Sequence, residues 1–121
     1  MNELEAIIRL VVGAAMVDGR VDSAELNRIR VLARSVGAGS TLRTVIEELH
    51  RKQHELQTAA HVIEWVRPAA RQIAAATKPT RFMAACAIAR IVKEDGVIVA
   101  DESAYQEAIL EQLNLEEFEG I

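Results

Sequence analysis

Two short acidic segments place carboxylates at a spacing that can hold a hard cation. The first is Asp18-Gly19-Arg20-Val21-Asp22-Ser23-Ala24-Glu25, the second Asp95-Gly96-Val97-Ile98-Val99-Ala100-Asp101-Glu102. Each reads Asp-Gly, an aliphatic residue two places on, and Glu four places after that. Asp18, Gly19, Asp22 and Glu25 fit the fifth, sixth, ninth and twelfth places of a calcium-binding EF-hand loop, with aliphatic Val21 at the eighth. The first and third places would be Ala14 and Met16, and in the second copy Ile91 and Lys93. A cation that wants six to eight oxygens loses two carboxylates in each loop, so neither is an EF-hand. A weaker site, or one shared between the loops, stays open. Its ligands would be Asp18, Asp22, Glu25, Asp95 and Glu102, its ion calcium or magnesium, and Val99 weakens the second set. In the competing reading each carboxylate accepts backbone N–H bonds from its own turn and organises the next helix. Asp18 and Asp95 follow helical runs, where the helix dipole disfavours negative charge, so something should compensate them.

Other chemistry is sparse. His50, His54 and His61 would share one face of a continuous helix, with His50 and His54 able to chelate a soft divalent ion. Cys86 is the lone cysteine, so no disulfide forms within the chain, and its Ala-rich surroundings suggest an inert, buried thiol. Gly37-Ala38-Gly39-Ser40-Thr41 lacks the lysine and the preceding strand of a phosphate loop. No Ser-His-Asp arrangement is suggested, and a capping pair of acids is a poor substitute for a pocket that shifts pKa values. The expectation is a protein that is not an enzyme.

The elements that must position these residues are helical. Asn2 to Val17 carries Leu4, Ile7, Ile8, Val11, Val12, Ala15 and Met16 at amphipathic helix spacing. Gly13 inside it costs about 1 kcal/mol relative to Ala, unless it permits close contact with a neighbouring helix. Asp22 and Glu25 form the capped start of a helix over 23–36, with a core face of Leu26, Ile29, Leu32, Ala33 and Val36. Residues 37–40 read as a breaker, 41–54 as a helix, and 56–65 as another that Pro68 kinks or ends. Helix resumes over 69–77, Lys78-Pro79 opens one reaching Asp95-Gly96, and the last spans about 101–113. No window alternates with period two, so the expected class is all-α with six or seven helices.

The acidic motif extends into a longer duplication, about 4–38 and 81–115, within one domain over 1–121. Placing Asp18 on Asp95 sets Leu32 on Ile109, Val36 on Leu113 and Ala38 on Leu115. Both units should therefore face the core with matching positions, and residues 40–80 form an inserted helical layer.

Composition narrows the partners. Half the residues are hydrophobic but only Phe82, Phe118, Trp65 and Tyr105 are aromatic, so the core is aliphatic and rich in alanine. The longest uncharged apolar stretches, 10–17 and 82–89, are too short for a membrane span, and Glu3 and Glu5 are the wrong charge for a secretory signal. A cytoplasmic setting is expected. The net charge of −4 conceals an asymmetry: residues 94–121 hold nine acids and no Lys or Arg, leaving +5 on residues 1–93. Aromatic interleaving is missing, which argues against nucleic acid as the partner. The asymmetry instead predicts salt-sensitive self- or hetero-association.

The apolar run ending in Val17-Asp18-Gly19-Arg20-Val21-Asp22-Ser23-Ala24-Glu25, echoed by Lys93-Glu94-Asp95-Gly96-Val97-Ile98-Val99-Ala100-Asp101-Glu102, resembles the TerB-like family. Leu110-Glu111-Gln112-Leu113-Asn114-Leu115 resembles that family's usual close. The family includes the tellurite-resistance protein TerB and the N-terminal domain of DnaJ-type membrane co-chaperones. The resemblance spans essentially the whole chain, least diagnostically over 40–80. It implies a compact all-α fold of two pseudo-symmetric helical pairs, a link to tellurite and related stress, and a divalent-metal site at Asp18, Asp22, Glu25, Asp95 and Glu102. No J-domain or membrane anchor accompanies it here, so the co-chaperone role is not expected. The leading expectation is a non-enzymatic module acting through protein contacts, with or without a divalent cation and with self-association open. The alternatives are a metal- or oxyanion-sequestering protein and, ranked last, a metal-assisted hydrolase.

Overall fold

A computed structural model describes residues 1–17, 23–52, 54–94 and 100–113, without the side-chain surroundings of 23–25, 91–94 and 100–103. The fold is all-α and compact, with six helices and no strand among the described residues. They are α1 (Glu3–Met16), α2 (Ser23–Ser35), α3 (Gly39–Lys52), α4 (Ala59–Ala74), α5 (Lys78–Glu94) and α6 (Ala100–Gln112). No helix among these residues is long and apolar enough to cross a membrane.

Helix α1 is the axle. Asn2 caps its start, its side chain accepting from the Glu5 N–H at 2.7 Å. Between Ala6 and Met16 every residue except Arg9 is buried. The amphipathic spacing predicts one apolar face, yet Leu10 and Ala14 are buried as well. The reason for the difference is that α1 touches all five other helices, most extensively α4 and then α5. A helix enclosed on every side must be apolar on every side.

Gly13 makes that enclosure possible. A Cβ there would stand 2.5 Å from the Tyr105 Oη and 2.8 Å from the Val66 Cγ1, so α6 and α4 both press onto the bare backbone. Tyr105 is fully buried and donates to the Leu10 carbonyl at 2.7 Å, tying α6 to α1. Burial among apolar side chains pushes its phenol pKa up, so the hydroxyl stays protonated and donating.

The link between α2 and α3 is tighter than a breaker. Gly37 takes a φ of +73°, the Gly37 N–H donates to the Arg34 carbonyl at 3.1 Å, and the Ala38 N–H donates to the Ala33 carbonyl at 2.7 Å. This is a Schellman motif, and Ala33 and Ala38 are both buried as its apolar contact. The Ala38 carbonyl then accepts from the Leu42 N–H at 2.9 Å, so α3 starts within two residues of the left-handed turn. Helices α2 and α3 are thereby held side by side.

Other boundaries also differ from expectation. Helix α3 ends at Lys52, and α4 starts at Ala59 under a Thr58 cap that accepts from the His61 N–H at 3.2 Å. Helix α4 runs through Pro68 to Ala74 as one element. Its buried residues Val62, Val66, Ala69, Ala70 and Ile73 form one face, and α1's contact with it is the largest between any two of the described helices. The segment expected as an inserted layer therefore supplies a wall of the core.

The duplicated pairs match only in their first helices. In the alignment set by the acidic motif, buried Ile7, Ile8, Val11 and Val12 of α1 fall on buried Ala84, Ala85, Ile88 and Ala89 of α5. In the second helices the register differs. Ile29 and Ala33 are buried in α2, whereas Tyr105, Ile109 and Leu113 are buried in α6, one position earlier in the alignment. Val36, expected in the core opposite Leu113, is 50% exposed, because α2 buries the neighbouring row, Ile29 and Ala33.

Candidate functional site

The acids singled out by sequence fall mostly outside the described residues. Asp18, Asp22 and Asp95 lie there. Glu25 sits in the first turn of α2 and Glu102 in the first turn of α6, with their side-chain surroundings likewise outside. Among the described residues no group of three or more His, Cys, Asp or Glu side chains could share an ion. The histidine expectation is corrected by the break after Lys52. His50 lies in the last turn of α3, His54 in a turn, and His61 in the first turn of α4, so no single helix aligns them; all three are exposed. Cys86 is a free thiol on α5, half-buried where full burial was expected.

One charged cluster is built against the core. Arg9, the one polar side chain in the enclosed stretch of α1, forms an ion pair with Glu48 of α3. It also lies over the Trp65 ring of α4, its guanidinium carbon 5.5 Å from the centroid. Lys52 Nζ stands 3.7 Å from a Glu48 oxygen, and Trp65 Nε1 donates to the same carboxylate at 3.5 Å. Partial burial pushes the Glu48 pKa up, but the hydrogen bond and charge of Arg9, helped by Trp65 and Lys52, outweigh it and leave the carboxyl below its usual range. The cluster lines a groove of about 340 Å³ with Glu5, Glu64 and Pro68. Its charges are already paired with one another, so its role is to clasp α1, α3 and α4 together.

A second groove, of about 270 Å³, is formed by the tight α2–α3 link. Arg30 and Arg34 from α2 face Arg43 and Glu47 from α3, with Leu42 and Ile46 between them and Gly39 at the head of α3. The three arginines are exposed, and none forms an ion pair with another described residue. No acidic residue occupies the first turn of α3, so its positive end is uncompensated as well. This constellation was missed in the sequence, where the basic excess of residues 1–93 was registered only as a total. Arg30 and Arg34 one turn apart on α2 were a readable signal. Arg43 joins them only through the Gly37 turn. Chemically the groove can bind anionic groups, with its aliphatic floor favouring a carrier that has apolar surface as well.

Comparison of the chain with protein-family models, with curated proteins and with solved structures returns no match.

Proposed function

We propose that this chain is a TerB-like interaction module, working through protein contacts at the α2–α3 groove and linked to tellurite and related stress responses. The observation that carries the contact surface is the set of Arg30, Arg34 and Arg43, exposed and without an ion-pair partner among the described residues, around an aliphatic floor. Exposed guanidinium groups set beside apolar side chains suit an acidic protein segment better than a small ion. The stress link rests on the paired Asp-Gly motifs. In this reading a divalent cation, calcium or magnesium, held by Asp18, Asp22, Glu25, Asp95 and Glu102, tunes the module, and the setting is cytoplasmic. Catalysis has no part in it.

Backbone amide shifts test the reading in two titrations. A synthetic glutamate-rich helical peptide should move the amides of Arg30, Arg34, Gly39 and Arg43, and silence there removes the groove as a contact surface. Calcium, magnesium, zinc and tellurite are added separately. Shifts confined to Gly19 and Gly96 with a divalent ion support tuning, whereas tight tellurite or zinc binding with no peptide response favours the sequestering alternative.

A further inference from the structure

Within this reading of the α2–α3 groove as a contact surface, we infer that its occupant is helix α6 of a second copy of the chain. The two surfaces are complementary in charge and spacing. Glu107 and Glu111 are exposed on α6, one turn apart, and neither forms an ion pair among the described residues. Arg30 and Arg34 are one turn apart on α2. The i,i+4 repeat is about 6 Å on any helix, so two such rows can meet charge for charge.

The negative end of α6 is met within the chain by Arg81 of α5, which donates to the Leu113 carbonyl at 3.4 Å, so the match is made by the side-chain rows and not by the helix ends. Ala104 and Ala108 lie beside those glutamates and are small enough to let the helix seat against Leu42 and Ile46. Glu47 is an acid among the groove residues, against three arginines. Residues 94–121 carry no Lys or Arg to repel the groove. Because the contact joins unlike surfaces, it closes as a reciprocal dimer or a ring, or else extends as a filament.

Sedimentation velocity on the full chain tests this with a charge swap. Wild type should self-associate at low salt and dissociate at about 1 M salt, where the Debye length is about 3 Å. Arg30→Glu with Arg34→Glu, and separately Glu107→Lys with Glu111→Lys, should each weaken association at least about tenfold. Mixing the two variants should restore it, as should all four changes in one chain. A wild type that stays monomeric at every salt concentration overturns the inference, and so does association that survives either reversal or a mixture that stays apart. Should the substitutions reduce helicity, Arg34→Gln and Glu111→Gln are the gentler pair: each should weaken association, and association unchanged in both overturns the inference. Peptide binding to a monomeric wild type overturns the self-contact alone, whereas a silent groove in a monomeric chain removes the contact surface too.

Discussion

Gly13 and Tyr105 form a pair in which each residue explains the other. A methyl at 13 would meet Tyr105 Oη and Val66 Cγ1 at distances real Cβ atoms do not show. The gain of about 1 kcal/mol in helix propensity therefore loses to overpacking, and Gly13→Ala should destabilise by about 1–3 kcal/mol net. Tyr105→Phe alone removes one buried hydrogen bond, about 1 kcal/mol, and combined with Gly13→Ala it should cost less than the sum. Chemical denaturation of the three variants checks this, and strict additivity would contradict it. The tyrosine also gives an alkaline signature. A phenol whose folded pKa is raised contributes stability in full below its unfolded value of about 10, and loses it as pH rises from there towards the folded value. Because Tyr105 is the sole tyrosine, phenolate absorbance should appear only together with helix loss. Glu48 has the opposite sign. Its folded pKa is lowered, so its contribution is full above about 4.3 and is lost as pH falls through the folded value. Glu48→Gln should cost about 1–2 kcal/mol at neutral pH and flatten the acid limb, read by fluorescence of the sole tryptophan, Trp65.

At the scale of elements, the sequence was most legible where a helix has one partner face and least where turns decide neighbours. The starts of α1, α2 and α5 were readable near Asn2, after Asp22 and at Lys78-Pro79, and Gly13 was costly unless it permitted close contact, which it does. The full burial of α1 was not, since periodicity reports a face and not the number of helices around it. Pro68 does not begin a new segment, because tertiary packing outweighs a proline's local penalty. Here Val66, Ala69, Ala70 and Ile73 bury on both sides of it and carry α4 through. Pro68→Ala should therefore stabilise the chain, by up to about 3 kcal/mol, and an unchanged melting temperature would mean that the ring packs usefully. The arginine groove was illegible because it depends on Gly37. Gly37→Ala, forced to φ +73° with open space around it, should cost about 1 kcal/mol and weaken peptide binding at the groove without unfolding α2 or α3.

For the whole molecule, an aliphatic core wrapped round α1 carries charge unevenly, with arginines bordering the α2–α3 groove and glutamates along α6. That division was visible in the sequence as acidic residues 94–121 against a basic remainder, whereas the faces on which the charges stand required the fold. The paired acidic motifs were the clearest sequence feature, and three of their five acids fall outside the described residues, so their test is the ion titration. The proposed function rests on the groove as a docking surface for acidic helices. Calorimetric titration of the glutamate-rich peptide into wild type and into Arg30→Glu with Arg34→Glu measures this directly. The expected result is saturable, salt-sensitive binding to wild type that is lost in the variant. Equal heats from both proteins, or none from wild type at low salt, would contradict it.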